Sequence, residues 1–204
     1  MNASIEYIAF DLGGVLVELD NFPRLVTGSS DQTDQDRFWH QWLTSCSVRA
    51  FECGKLSFQE FVPEFLKEHQ VSLSEQEFIQ AFMRLPKRPF PGIKALLRTL
   101  ALQWPLVVLS NNNEVHWNTI LNQWGLDLYF HKAYSSHLIG KVKPDVEIFE
   151  FVVSDLNVPP SHILFIDDNR LNVDAALEVG FLAEVGKGVQ GICDILSNYH
   201  ILNC

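Results

Sequence analysis

Three short apolar runs, each followed at once by polar residues, constrain the fold of this 204-residue chain more than any other feature. They are YIAF before Asp11, LVVL before Ser110 and Asn111, and ILFI before Asp167 and Asp168. A charged carboxylate at the end of a buried strand is energetically costly unless another group binds it. Because the carboxyl ends of parallel strands meet at one edge of a sheet, the pattern predicts a parallel sheet with a functional site at that edge.

The chain after Gly92 alternates between strand and helix patterns. Apolar periodicity predicts helices over Ile93–Leu100, over Val115–Trp124, from Pro144 onward and over Val173–Val179, with further strands at Lys132–Tyr134 and Phe181–Val185. Residues 186–188 after the last strand read as a surface loop. The alternation predicts the α/β class, with a doubly wound parallel sheet and right-handed crossovers.

Residues 19–90 have a different character, because strand-like runs give way to helical spacing of apolar residues. Ser57 and Ser74 each begin an S-x-x-E capping box that precedes an apolar stripe. A proline-rich stretch, residues 86–92, closes this part of the chain. We therefore expect residues 1–18 and 91–204 to form the α/β core, and residues 19–90 to form an inserted helical cap above the carboxyl edge of the sheet.

Charge and composition exclude several functional classes. The formal net charge of −10 argues against a nonspecific nucleic-acid binder, which needs a basic face. No apolar run approaches the ~20 residues that span a bilayer, and the chain shows no signal-peptide pattern, so we expect a cytoplasmic protein with no membrane partner. The four cysteines form no CxxC pair and are expected to be reduced thiols.

Four segments together resemble the haloacid dehalogenase superfamily of phosphohydrolases. They are FDLGGVL at residues 10–16, LSN at 109–111, KPD at 143–145 and FIDDN at 165–169. The resemblance covers essentially the whole chain, and the helical insertion stands where this family places a cap. Within the family the chain resembles the branch with bacterial α-D-glucose-1-phosphate phosphatases, which shares the first and fourth motifs and a segment like ECGKLS at 52–57. The resemblance implies a Rossmann-like core with a small helical cap, and hydrolysis of a small phosphorylated metabolite such as a sugar phosphate.

The resemblance also implies roles for the residues that follow the strands. Asp11 would attack phosphorus and form an aspartyl-phosphate, which divides a difficult hydrolysis into two easier steps. Ser110 and Asn111 would donate hydrogen bonds to the phosphate oxygens. Lys143 would pair with both the phosphate and the Asp11 carboxylate, which favours the ionised nucleophile.

The implied cofactor is Mg²⁺, a hard cation that prefers oxygen ligands. Its protein ligands would be the Asp11 carboxylate, the backbone carbonyl of Gly13 and the Asp168 carboxylate. Asp167 would lie behind these ligands or hold a metal-bound water. The ion would bridge the negatively charged nucleophile and the negatively charged phosphate.

One departure from the family pattern is Gly13, because most phosphatases of the family carry a second aspartate at this position. That aspartate acts as a general acid and base, a role that typically contributes ~10²–10⁴-fold to the rate. The sequence offers Glu18, Asp20 and Glu52 as candidates for the role and does not choose between them.

The same departure leaves two alternatives to a phosphatase. Dehalogenases of the superfamily also lack the second aspartate, but they need no metal, and the acidic pair Asp167 and Asp168 has a clear purpose only beside a cation. A noncatalytic binding or regulatory domain is the other alternative, although such a domain need not keep Asp11, Lys143 and the acidic pair together.

Overall fold

The structure, a computed structural model, describes residues 5–202 of the chain. Its strands are β1 (Tyr7–Phe10), β2 (Val17–Leu19), β3 (Pro86–Pro89), β4 (Leu106–Ser110), β5 (Lys132–Ser135), β6 (Ile163–Asp167) and β7 (Leu182–Val185). Its α-helices are α1 (Phe22–Thr27), α2 (Gln32–Thr44), α3 (Cys46–Glu52), α4 (Phe58–Glu68), α5 (Glu75–Met83), α6 (Ile93–Leu100), α7 (Ser136–Ile139), α8 (Val146–Leu156), α9 (Arg170–Val179) and α10 (Gly188–Asn198).

Five parallel strands form the main sheet in the order β5-β4-β1-β6-β7. Alternate residues of β1 enter two separate hydrophobic clusters, because Ile8 and Phe10 pack on one face of the sheet and Ala9 packs on the other. All three side chains are fully buried, as expected for a strand with helices on both faces. The predicted doubly wound α/β fold is confirmed, and β1 lies at its centre between β4 and β6.

A small antiparallel ribbon joins the sheet to the helices inserted after β1. It consists of β2 and β3, in which Val17 faces Pro89 and Glu18 faces Arg88. These two strands are not predicted by the sequence pattern, because prolines at both ends of residues 86–89 disfavour a central strand. A ribbon of two edge strands tolerates these prolines, because no neighbouring strand on the outer side would accept a hydrogen bond from the backbone N–H that proline lacks.

The helical insertion, residues 20–85, contains α1 to α5 and has its own aromatic cluster. Its fully or nearly fully buried rings are those of Phe22, Phe38, Trp42, Phe51, Phe61, Phe65, Phe78 and Phe82. The rings of Phe51 and Phe61 stack with their centroids 4.4 Å apart. Both predicted capping boxes are present, at Ser57 and Ser74. The exact division into a core of residues 1–18 and 91–204 and a cap of residues 19–90 stays a prediction.

Polar contacts hold the helical insertion against the sheet domain. The Glu114 carboxylate accepts a hydrogen bond of 2.9 Å from the backbone N–H of Phe58, at the first turn of α4. The His116 ring lies 2.8 Å, from Nε2, from the backbone carbonyl oxygen of Phe82 at the end of α5. The insertion is therefore anchored through the ends of two of its helices.

Several local predictions differ from the structure. The helix predicted over residues 115–124 is present only over residues 117–123, and its larger part, Thr119–Gln123, is π-helical. Pro144 precedes α8 instead of occupying its first turn, because Asp145 is the N-cap residue. The loop expected at residues 186–188 is present but ends at Lys187, because α10 already begins at Gly188, where the apolar face of the helix outweighs the low helix propensity of its glycines.

The expectation for the cysteines holds only in part. Cys46 and Cys53 are free thiols, whereas Cys193 is disulfide-bonded. A disulfide depends on the distance and orientation of two side chains in space, which the spacing of cysteines in the sequence does not give. None of the helices in residues 5–202 is long and apolar enough to cross a membrane.

Candidate active site

The carboxyl ends of β1, β4 and β6 open into one cavity of about 1180 Å³, with the helical insertion forming its opposite wall. All the site residues predicted from sequence line this cavity: Asp11, Gly13, Ser110, Asn111, Lys143, Asp167 and Asp168. They come from segments more than 150 residues apart in the chain. The parallel sheet brings them together because each follows, or lies beside, the end of a central strand.

Lys143 is the electrostatic centre of the site. Its side chain is only 1% exposed, and its Nζ donates to Asp11 Oδ1 at 2.9 Å, to Asp167 Oδ2 at 2.6 Å and to the Leu109 carbonyl at 3.0 Å. These three acceptors use all three donors of the ammonium group. Burial opposes the charged form, but the two carboxylates outweigh this effect and raise the pKa of Lys143.

Asp11 lies directly beyond β1, and its side chain is 12% exposed. Burial raises its pKa, and the adjacent charge of Lys143 acts against that rise. The lysine thus supports the ionised carboxylate that a nucleophile requires.

Asp167 is fully buried and is held on several sides. Its Oδ1 accepts from the backbone N–H of Asn169 at 2.8 Å, and both of its oxygens accept from Asn172 Nδ2 at 3.0–3.1 Å. Together with the bond from Lys143, these contacts occupy both carboxylate oxygens. The geometry suits a group that orients its neighbours.

Asp168, by contrast, projects into the cavity over the loop that follows Asp11. A Cβ atom built on Gly14 would lie 2.0 Å from Asp168 Oδ2, and Gly14 has a φ of +73°. Only glycine accommodates both the left-handed backbone and this close approach. Although Asp168 is exposed to the cavity, the surrounding protein atoms raise its pKa to about 7, and the charges of Asp11 and Asp167 act in the same direction.

Asn111 braces the loop that carries the lysine. Its Nδ2 donates to the Lys143 carbonyl at 3.0 Å, and its Oδ1 accepts from the Lys143 backbone N–H at 2.8 Å. Ser110 Oγ donates to the Asn111 carbonyl at 3.3 Å. The hydrogen bonds to phosphate that were predicted for Ser110 and Asn111 stay predictions.

The acidic side chains fit a hard divalent cation. Carboxylate oxygens of Asp11, Asp167 and Asp168 all lie within 4.8 Å of one another. Oxygen ligands of this kind suit Mg²⁺. In addition, Asn172 Oδ1 is buried and accepts no hydrogen bond from the described residues, which is the environment expected beside a hydrated ion. Asp11 and Asp168, with the Gly13 carbonyl, would hold the ion in front of Asp167.

The wall opposite the sheet is formed by the helical insertion. Glu52 at the end of α3 is buried, and its Oε1 accepts from Trp42 Nε1 at 3.0 Å. Glu18 lies near the cavity mouth and accepts from Arg88 at 2.9 and 3.3 Å. This part of the cavity lining also includes the polar residues Asp20, Asn21, Gln32, Gln35 and Asp36, together with the indole of Trp39.

Comparison with known proteins identifies the family. The family model of haloacid dehalogenase-like hydrolases matches residues 5–180. The chain belongs to the haloacid dehalogenase-like hydrolases. It is 31% identical over 193 residues to a D-ribitol-5-phosphate phosphatase from Bacteroides thetaiotaomicron, covering 87% of this chain and 89% of that protein. It is 27% identical to a phosphoglycolate phosphatase from Neisseria gonorrhoeae, covering 90% of this chain and 81% of the relative.

A solved structure of a haloacid dehalogenase family enzyme from Bacteroides thetaiotaomicron, in complex with magnesium and inorganic phosphate, superposes with a TM-score of 0.70. The two chains are 25% identical, and the match covers 91% of this chain and 96% of the other. The predictions of a phosphatase of this family and of a magnesium cofactor are confirmed. The narrower similarity to α-D-glucose-1-phosphate phosphatases stays a prediction.

Two residues of the site escaped the sequence analysis. Asn172, in the first turn of α9, had a detectable signal, because it stands five residues after Asp167 on a helix that begins at the sheet edge. Trp42 had none, since its spacing is that of an ordinary core residue and only the fold brings it to Glu52.

Proposed function

We propose that the protein hydrolyses the phosphate monoester of a small sugar or polyol, with Asp11 as the nucleophile. The observation that supports this most strongly is the arrangement of Lys143 between Asp11 and Asp167, at 2.9 and 2.6 Å. A buried lysine in this position fixes the nucleophile and favours its ionised form. The intermediate would be an aspartyl-phosphate on Asp11.

The charge balance of the site explains why the reaction requires a cation. Three carboxylates face one lysine, and all three donors of that lysine are already engaged. A phosphate dianion would be repelled by this cluster. When bound, magnesium supplies the positive charge that offsets the repulsion. The protein then positions the nucleophile, because the bond to Lys143 holds the Asp11 carboxylate at the floor of the cavity.

The polar residues that the insertion contributes to the cavity lining support a hydroxyl-rich substrate. Gln32, Gln35 and Asp36 on α2 offer amide and carboxylate groups, which bind hydroxyls by accepting and donating hydrogen bonds. Trp39 on the same helix offers an apolar face for the C–H groups of a sugar or polyol. The similarity to a D-ribitol-5-phosphate phosphatase agrees with this substrate class.

A cytoplasmic location also stays a prediction.

The first experiment is the release of p-nitrophenol from p-nitrophenyl phosphate, with and without magnesium. We expect release that depends on magnesium and is abolished by Asp11→Asn. Asp127→Asn is the matched control, because it makes the same chemical change at an exposed position outside the cavity and should keep wild-type activity.

Different outcomes would favour different functions. Full activity of Asp11→Asn would refute the nucleophile assignment. Halide release from 2-chloropropionate that is insensitive to a chelator would instead favour a dehalogenase, and magnesium binding without turnover of any phosphate ester would favour a noncatalytic role. After turnover is established, kcat/KM for ribitol 5-phosphate and glucose 1-phosphate is expected to exceed that for phosphoglycolate.

A further inference from the structure

The departing oxygen of an unactivated phosphate ester needs a proton, and Gly13 cannot supply it. Of the three acids considered from sequence, Glu18 is held in its ion pair with Arg88 at 2.9 Å. Asp20 is exposed. Glu52 differs from both, since it is only 7% exposed and lines the cavity together with Asp11.

The position of Glu52 is fixed by the docking of α3 on the sheet domain. Arg49, one turn earlier on α3, forms a salt bridge with Asp145 at the start of α8. Just after the helix, a Cβ atom on Gly54 would lie 2.5 Å from the backbone carbonyl oxygen of His137, so two main chains meet there without a side chain between them. Within the insertion, the Trp42 indole holds Oε1 of Glu52 at 3.0 Å.

The direction of the reaction places the departing oxygen toward this wall. In phosphoryl transfer the attacking and leaving oxygens lie roughly in line on opposite sides of phosphorus. Asp11 attacks from the sheet edge, so the leaving group points away from the sheet and toward the helical insertion. Glu52 is the buried carboxyl group on that side of the cavity.

We propose that Glu52 is the general acid and base of the reaction, taking the role that Gly13 leaves open. The inference rests on the proposed phosphatase function. In the first step an Asp11 oxygen bonds to phosphorus, the bond from phosphorus to the substrate oxygen breaks, and the Glu52 proton moves to that oxygen to release an alcohol. In the second step water bonds to phosphorus, its proton moves to the Glu52 carboxylate, and the acyl phosphate bond breaks to give phosphate and the Asp11 carboxylate.

The environment of Glu52 suits this cycle. Burial raises the pKa of Glu52 to about 7, while the hydrogen bond from Trp42 and the charge of Lys143 act in the opposite direction. The charge of Asp11 adds to the rise. A carboxyl group balanced in this way can both hold and release a proton near neutral pH.

The test compares leaving groups. Glu52→Gln keeps the size of the side chain and an oxygen that can accept from Trp42, but it removes the transferable proton. With magnesium present, kcat/KM is measured for wild type and variant on p-nitrophenyl phosphate and on a series of alkyl phosphates. We expect a loss of ~10²–10⁴-fold on alkyl phosphates and little loss on p-nitrophenyl phosphate, whose leaving group departs without a proton.

A second variant addresses the same role from the other side of the cavity. Position 13 accepts a side chain, because Gly13 does not have a positive φ and a Cβ atom there would lie 3.5 Å from the Leu19 side chain, an ordinary contact. Gly13→Asp combined with Glu52→Gln places a carboxyl group where most of the family carries one. We expect this double variant to regain turnover of alkyl phosphates relative to Glu52→Gln.

The outcomes separate the two proposals. An equal loss on both substrate types, or no loss on either, would overturn the role of Glu52 while leaving the phosphatase function intact. No magnesium-dependent release by the wild-type protein would overturn the proposed function, and this inference with it. A loss confined to the poor leaving groups would establish proton transfer by Glu52.

Discussion

His116 predicts a specific loss of stability in mild acid. The side chain is 6% exposed, and its Nε2 lies 2.8 Å from the Phe82 carbonyl oxygen, while Nδ1 lies 3.3 Å from Asn113 Nδ2. A carbonyl accepts and an amide NH₂ donates, so this pattern assigns a neutral ring with its proton on Nε2. A second proton on Nδ1 would face the Asn113 amide donor. Burial lowers the pKa of His116 to about 4, and the bond to Phe82 acts in the opposite direction.

The sign and size of the effect follow from this pKa. The unfolded chain takes up the His116 proton as the pH falls through 6.5, whereas the folded protein resists it until about pH 4. Stability from this residue is therefore complete above pH 6.5 and is lost between pH 6.5 and about 4. The separation of the two values corresponds to about 3 kcal/mol in the free energy of unfolding.

The assay is urea unfolding of wild type and His116→Gln from pH 7.5 to pH 4. Glutamine can donate to the Phe82 carbonyl but does not titrate in this range, so other titrating groups cancel in the difference between the proteins. The free energy of unfolding of wild type, taken relative to that of His116→Gln, is expected to decrease by about 3 kcal/mol as the pH falls. A difference that stays constant within ~0.5 kcal/mol would refute the buried neutral histidine.

Two further predictions concern the sheet edge. Lys143→Met leaves buried carboxylates without their cation and should lower the free energy of unfolding, measured in urea, by about 3–5 kcal/mol. Adding Asp167→Asn to this variant should restore part of the loss. Equal stability of the single variant and wild type would contradict this prediction. Gly14→Ala directs a methyl group at Asp168 Oδ2, 2.0 Å away, and should weaken magnesium binding at least about tenfold in calorimetry, a loss of about 1.4 kcal/mol. Gly28→Ala is the matched control, with a φ of +71° and open space around it, and should keep wild-type affinity at a cost of about 1–2 kcal/mol in stability.

The three central strands β1, β4 and β6 were predictable because they are almost entirely buried and therefore read as unbroken apolar runs, whereas the outer strands β5 and β7 are partly exposed. The polar residue after each run located the carboxyl edge of the sheet. Asp11 is an example, because burying a charged carboxylate costs free energy and therefore indicates a functional site. The sequence could not show that Asn111 clamps the main chain of Lys143, because both partners read as phosphate contacts. Nor could it choose Glu52 over the other acids, since that choice depends on the contact with Trp42 inside the folded insertion.

The paired strands β2 and β3 have a consequence for protein engineering. Val17 and Pro89 are register partners, so the chain leaves the sheet domain and returns to it at points only about 5 Å apart. A turn of two residues spans such a gap. The helical insertion could therefore be replaced by another domain at this ribbon, while the hydrogen bonds of the parallel sheet stay unbroken.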